Sequence, residues 1–230
     1  MFKSKADILK IFRSLSRPVD VVLDVGVLFQ TKELREIYLD TKQYLFEPME
    51  ECFARIEHLY QANNYVLVKK AVGAQSAKLP LFKRTIFAEQ PVTHSRIGAP
   101  GEQPKPGEAA AEIEVVTLNE FCKSNNIDKN ILLKIDVDGK DLDILRGSNE
   151  ILRFASAVII ETPLIRFTEC ANFLEANGFV LWELCDFCFY DEKLLQFDCV
   201  FLNSRYAKLP EFNPGLRHKT FQRELWQKLP

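Results

Sequence analysis

The apolar positions change period along the chain, and the changes mark out its elements. Ile8, Ile11, Phe12 and Leu15 fall at i, i+3, i+4 and i+7, one face of an amphipathic helix. Arg17-Pro18 predicts its end, because a residue before proline is pushed out of the helical region. Val19 to Val25 is apolar on both faces apart from Asp20 and Asp24, the pattern of a buried parallel strand. Residues 31–39 then read as a helix, Gln43 to Phe46 as a strand ending at Glu47-Pro48, residues 49–61 as a helix and Tyr65 to Val72 as a strand. This alternation predicts a parallel sheet with right-handed crossovers.

Residues 73–112 break the rhythm. Pro80, Pro91, Pro100, Pro104 and Pro106 are interspersed with Gly98, Gly101 and Gly107. The stretch from Gly98 to Gly107 has no sequence for a helix or a central strand. The segment at about 79–112 is therefore expected to be a Pro/Gly-rich loop, either a surface insertion or a lid over a bound acceptor. Regular structure resumes with a helix at about 117–126, a strand from Ile131 to Val137, a helix from Gly139 to Phe154 and a strand from Ala157 to Ile160. Phe167, Cys170, Ala171 and Leu174 give another helical stripe, stopped by Asn177-Gly178. Phe179 to Cys185 and Phe197 to Leu202 follow with no helix between them and predict a hairpin, hence an antiparallel edge. Phe221, Leu225 and Trp226 suggest a terminal helix packing back on a single domain spanning residues 1–230.

Composition narrows the class. With 47% hydrophobic residues and 18 Phe the chain can fill a core. Thirty Lys and Arg against 32 Asp and Glu leave a net charge of −2, so no nucleic-acid partner is expected. Cys52, Cys122, Cys170, Cys185, Cys188 and Cys199 show no framework spacing and read as free buried thiols in a reducing compartment. Cys185 and Cys188 form a lone C-x-x-C without the second pair that zinc requires. The opening Met-Phe-Lys-Ser-Lys-Ala-Asp has no apolar region for a signal peptide, and no apolar run approaches the roughly 20 residues of a membrane span, so the expected location is cytoplasmic.

In open parallel sheets, ligands bind outside the carboxyl ends of the strands. Those ends read Asp24-Val-Gly26, Glu47-Pro48, Asp136-Val-Asp138-Gly139 and Glu161-Thr-Pro163. Glu47 lies 21 residues beyond Gly26, the spacing of an acid that accepts hydrogen bonds from ribose hydroxyls. Gly26 permits a tight turn and a close backbone approach. The turn Gly26-Val-Leu-Phe-Gln30-Thr lacks the further glycines that a pyrophosphate needs, so NAD is disfavoured. Acidic strand ends suit a phosphate-free cation such as S-adenosylmethionine better. Asp136 and Asp138 point to one side of their strand end. They would act as base, as hydrogen-bonding groups to an acceptor, or with Glu161 as oxygen ligands of a divalent cation. Asp138 would equally cap the following helix. His94 flanks the loop within reach of an acceptor or of solvent, whereas His58 and His218 read as structural or solvated. Lys134, inside an apolar strand, reaches the sheet edge or pairs with one of the acids, and has no catalytic role assigned.

Val21-Val-Leu-Asp24-Val-Gly26 followed by Tyr44-Leu-Phe-Glu47-Pro48 resembles the first two motifs of the FkbM-type methyltransferases. Leu133-Lys134-Ile135-Asp136-Val137-Asp138-Gly139, continuing to Asp143, Leu145 and Gly147, is similar to that family's K-I-D-V-E-G-x-E-x-x-V-L-x-G signature, with Asp for both acids after Val137. Val116 to Asn119 and Ile159 to Glu161 extend the resemblance over residues 19–165. It implies a Rossmann-like class I fold with a seven-stranded, mostly parallel sheet of order 3-2-1-4-5-7-6. It also implies S-adenosylmethionine as cofactor and O-methylation of a hydroxyl on a sugar/glycan or natural-product-like acceptor. Asp24, Gly26, Glu47 and Pro48 are then the cofactor-binding candidates, and Asp136, Asp138 and His94 the catalytic ones. The family's first loop reads D-x-G-A-N-x-G, whereas Val27, Leu28 and Gln30 stand here. That departure leaves a catalytically inactive binding or scaffold module as the alternative.

Overall fold

The structure is a computed structural model that describes residues 3–14, 19–83, 95–137 and 139–208. Its elements in chain order are α1 (Lys5–Ser14), β1 (Val21–Val25), α2 (Lys32–Ile37), β2 (Lys42–Phe46), α3 (Glu50–Leu59), β3 (Tyr65–Val68), β4 (Ala71–Val72), β5 (Ala77–Lys83), β6 (Arg96–Ile97) and β7 (Ala109–Val116). There follow α4 (Leu118–Ser124), β8 (Ile131–Ile135), α5 (Asp141–Arg146), β9 (Ala155–Pro163), α6 (Phe167–Ala176), β10 (Phe179–Tyr190), β11 (Lys193–Asn203) and α7 (Ser204–Ala207).

Seven strands form the main sheet in the order β10-β11-β9-β8-β1-β2-β3. Counted within this sheet from the opposite edge, that is 3-2-1-4-5-7-6, the order expected. β1, β2, β3, β8 and β9 run parallel, and β11 pairs antiparallel with both β9 and β10. β8 is buried at every position, as a central parallel strand must be. One face of the sheet packs Leu23, Leu133, Ile135 and Phe201 against α4, α5 and α6. The other packs Leu132, Ile159 and Leu202 against Ile8, Leu9 and Phe12 of α1.

Residues 73–112 depart from expectation. The strand expected over Tyr65 to Val72 divides into β3 and β4, and β4 leaves the main sheet. It joins β5, β6 and β7 in a second, four-stranded sheet of order β4-β7-β5-β6. The expected loop is therefore partly strand. β7 alternates, with Ile113 and Val115 buried and Glu112 and Glu114 exposed. Pro80 is tolerated in β5 opposite Glu112, and its carbonyl accepts the Gly98 amide at 2.8 Å. Gly98 to Gly107 itself lies outside any helix or strand, as its composition requires.

The helix expected from Gly139 to Phe154 is also shorter. α5 stops at Arg146 with Gly147 as its cap, and a separate 3-10 turn covers Ile151–Phe154. Gly147 lies against the Gly73 backbone, and a Cβ there would land on the Gly73 carbonyl oxygen. This contact ties the helix under the main sheet to the connection between β4 and β5 of the second sheet. His58 is exposed on α3. Five cysteines are free and buried, while Cys188 is exposed. Among the described residues no helix is long and apolar enough to cross a membrane. Arg17-Pro18, His218 and the terminal helix expected around Phe221 to Trp226 lie outside the described residues.

Gly147→Ala is expected to lower the unfolding free energy by about 1–3 kcal/mol, the cost of overpacking a closed contact. Urea denaturation monitored by tryptophan fluorescence measures it, and an unchanged midpoint would mean that the turn yields freely.

Candidate active site

β1, β2 and β8 end side by side, and a cavity of about 380 Å³ opens at their carboxyl ends, within the usual size of a small-ligand site. Gly26, Glu47, Pro48 and Asp136 line it, and Leu81 and Ile97 of the second sheet contribute to its wall. Four of the sequence candidates are thus brought together. Asp138 and His94 lie outside the described residues.

Gly26 has φ +81°, a conformation glycine adopts without strain. Its amide donates to Phe46 O at 3.1 Å, joining the β1 turn to β2. A Cβ here would land on the carbonyl oxygen of Asp136. Any side chain would therefore separate two loops that meet at this point.

Glu47 is buried. Its Oε2 accepts the Leu28 amide at 2.8 Å and its Oε1 accepts the Met49 amide at 2.9 Å. Burial pushes its pKa up to about 7, against the pull of those two amides. The carboxyl fastens the β1 turn to the start of α3 while facing the cavity. Each oxygen keeps a lone pair for a ligand hydroxyl.

Asp24 is placed differently from the cofactor-contact role assigned from sequence. It is fully buried and does not line the cavity. Its position explains this: register pairs it directly with Lys134 on β8, and Lys134 Nζ lies 3.5 Å from Asp24 Oδ1. The same ammonium sits 3.0 Å from Asp136 Oδ2 and donates to Gly26 O at 3.2 Å. Burial opposes the charge on Lys134, but Asp136 and then Asp24 outweigh it and raise its pKa. Sequence reasoning left Lys134 without a role. A lysine in an otherwise wholly apolar buried strand was the available signal, since such a charge has to be paired.

Two further arginines order the surroundings. Arg166 donates to the Gly139 carbonyl and fastens the segment after β8 to the turn after β9. Arg96 bonds Glu102 at 2.6 Å and Glu108 at 3.0 and 3.1 Å, and its guanidinium lies 4.5 Å from the Phe82 ring centroid. It thereby holds the Gly98–Gly107 stretch beside the cavity. Val27 lines the cavity with Leu28 and Gln30 and is itself buried among Leu45, Met49, Leu81 and Val115, so the unusual first turn forms cavity wall as well as core under the second sheet.

The geometry gives the divalent-cation reading no support. Asp136 already holds an ammonium. Among the described residues, the Cys185, Asp186 and Asp198 side chains lie close enough to share an ion. Lys5 is paired into both of those acids, at 3.6 and 2.6 Å, and supplies the positive charge itself.

The methyltransferase FkbM domain profile matches residues 20–184. The chain belongs to this family. It is accordingly an S-adenosylmethionine-dependent methyltransferase, and the sequence resemblance is upheld. No curated protein matches the chain. Solved structures share its fold at low identity. An rRNA methylase from Streptococcus thermophilus aligns with a TM-score of 0.51 at 10% identity, over 88% of this chain and 98% of that one. A putative methyltransferase from Streptococcus mutans, in complex with S-adenosylhomocysteine, gives 0.49 at 10% identity over 88% and 99%. Magnesium protoporphyrin IX methyltransferase from Synechocystis, with bound S-adenosylmethionine, gives 0.47 at 9% over 86% and 76%. The family's cofactor suits the residues present: a glycine at the β1 turn, a buried carboxyl at the tip of β2 and no phosphate-binding glycines.

The raised pKa of Glu47 has a consequence for the ligand-free FkbM protein. The native state holds its proton between the ordinary value of 4.5 and about 7, whereas the unfolded chain has lost it. The stability this group contributes is therefore fully present below 4.5 and falls as pH rises towards 7. Denaturant unfolding across that window should show a shallower decline in Glu47→Gln than in wild type. Equal slopes would show that Glu47 titrates normally.

Proposed function

We propose that the cavity holds S-adenosylmethionine and that the chain methylates a hydroxyl oxygen on a sugar/glycan or natural-product-like acceptor. The observation that carries this is the meeting of Gly26, Glu47 and Asp136 around one cavity at the ends of three adjacent parallel strands. Bound there, the cofactor supplies an electrophilic methyl group on a sulfonium. Glu47 accepts hydrogen bonds from a ribose diol. Gly26 lets the backbone approach without obstruction, and Pro48 forms part of the wall. Asp136, with 34% of its side chain exposed and Lys134 fixing its orientation, accepts the hydrogen bond of an acceptor hydroxyl. Asp138 and His94 are further acceptor-side candidates from their place in sequence. Asp24 acts beneath the site through Lys134. Most of the acceleration would come from holding the acceptor oxygen in line and close, with proton removal adding a smaller factor.

The substituted turn Val27 to Gln30 favours a silent binding module as the second reading. Against it stands the cavity itself, which keeps a volume of about 380 Å³ although Val27, Leu28 and Gln30 line it.

Calorimetric titration with S-adenosylmethionine and S-adenosylhomocysteine tests the cofactor site. Wild type should bind both. Glu47→Ala should bind about ten-fold or more weakly, through loss of hydrogen bonds to a charged group. Gly26→Ala should abolish binding, because its methyl would displace the Asp136 carbonyl. A folded wild-type protein that binds neither compound would turn the reading to the silent module. Turnover with hydroxylated rather than amine acceptors decides the atom methylated.

A further inference from the structure

Six ionisable side chains form a row just under the carboxyl edge of the main sheet. Asp24 on β1 is opposite Lys134 on β8. Ile135 is opposite Ile160, so the next residues along, Asp136 and Glu161, are neighbours on adjacent strands. Glu161 is opposite Asp198 on β11, and Lys5 of α1 reaches Asp198 at 2.6 Å. The row is continuous from beneath the β1 turn to the first helix.

Its charges do not balance if every group ionises, because four carboxyls face two ammonium groups. Lys134 serves Asp24 and Asp136, and Lys5 serves Asp198 and Asp186. Among the described residues Glu161 has no ion pair of its own. Crowded carboxylates in a low-dielectric site resolve such an excess by keeping a proton.

We propose that Glu161 is a positioning residue that works in its protonated form, donating a hydrogen bond to Asp136 so that this carboxylate stays ionised at the cavity. The proposal rests on the reading of the cavity as the cofactor and acceptor site. Burial, followed by the neighbouring Asp136 charge, pushes the Glu161 pKa up to about 8. Burial opposes ionisation of Asp136, but Lys134 and the Glu161 hydrogen bond outweigh it and hold that pKa below the ordinary carboxylate value. The charged and titratable groups around Glu161 are Lys134 from β8, Asp136 just beyond its end, Asp198 from β11, Cys188 from β10 and, behind Asp198, Lys5 from α1. Glu161 sits between Asp136 and Asp198, each of which has its own lysine; burial pushes Asp24 and Asp198 up as well, so the proton on Glu161 answers one part of the excess.

The test has two arms. Carboxyl-detected NMR titration of the ligand-free protein should show one glutamate titrating near 8, absent in Glu161→Gln. In Asp136→Asn this titration should fall towards the ordinary 4.5. Persistence near 8 in Asp136→Asn would overturn the pairing. Calorimetry with S-adenosylhomocysteine forms the second arm, because Asp136 lines the same cavity and an ionised carboxylate there attracts the ammonium of that compound besides orienting the acceptor hydroxyl. Glu161→Gln keeps a donor and should retain wild-type affinity, whereas Glu161→Ala should lose about ten-fold, the size of one hydrogen bond to a charged group. The two variants are compared at matched unfolding midpoints. Wild-type affinity in Glu161→Ala would overturn the positioning role. Failure of wild type itself to bind would instead undo the cofactor reading, and the NMR arm would then decide the pairing alone.

Discussion

The site depends on one buried ammonium. Lys134 is enclosed in the central strand β8, with almost none of its side chain exposed. A charge so placed is tolerated only if its surroundings answer it with opposite charge and acceptors. Asp24, Asp136 and the Gly26 carbonyl do so, and they come from two different strand ends. The interaction therefore does more than neutralise a charge. It brings the β1 turn and the β8 end into a fixed relation, and the cavity floor is the place where they meet. Gly26 completes that meeting because it alone presents no Cβ to the Asp136 carbonyl.

The same logic extends outward along the sheet edge. Glu47 fastens the β1 turn to α3 through two backbone amides, Arg166 fastens the segment after β8 to the turn after β9, and Lys5 draws α1 onto β11. The first two links hold loops to their neighbours, and the third holds a helix to a strand. Loops at the carboxyl end of a parallel sheet have few ladder partners, so side chains must supply their order. The acids that make the site chemically useful are also the acceptors that hold it together. The second sheet adds a wall from above and gives Val27 a hydrophobic neighbourhood, which lets an atypical first turn coexist with an open cavity.

Legibility in the sequence followed the strength of the local signal. The parallel strands announced themselves as two-sided apolar runs, and Asn177-Gly178 and the closely spaced final strands predicted α6's end and the hairpin. Glu47 and Gly26 were found by spacing and by glycine's geometry, and both line the cavity. Residues 73–112 were misread because prolines outweighed short alternating runs. Leu81-Phe82 and Ile113 with Val115 carry a strand pattern, but each is too brief to stand against five prolines. Gly139 to Phe154 was drawn as one helix because the approach of Gly147 to Gly73, which closes it, joins residues far apart in sequence.

The amino-acid sequence by itself determined the class of the sheet, its antiparallel final hairpin and the acids at the strand tips, while the strand order came from the family resemblance. The first three features arise from period, capping and motif spacing, all of which are local. Tertiary structure decided which of the acids line the cavity. Asp24 and Asp136 stand in similar positions at the ends of adjacent strands, yet one is sealed against Lys134 and the other opens to the cavity. Register and strand period put both on the same side of the sheet, so the division depends on depth: Asp24 pairs with Lys134 inside the ladder, whereas Asp136 lies one residue beyond the end of β8. Likewise Lys134, an isolated basic residue when read along the chain, became the central partner of the site only once β1 and β8 lay side by side. Charge balance in a buried cluster is a property of neighbours in space, and the order of residues along the chain does not contain it.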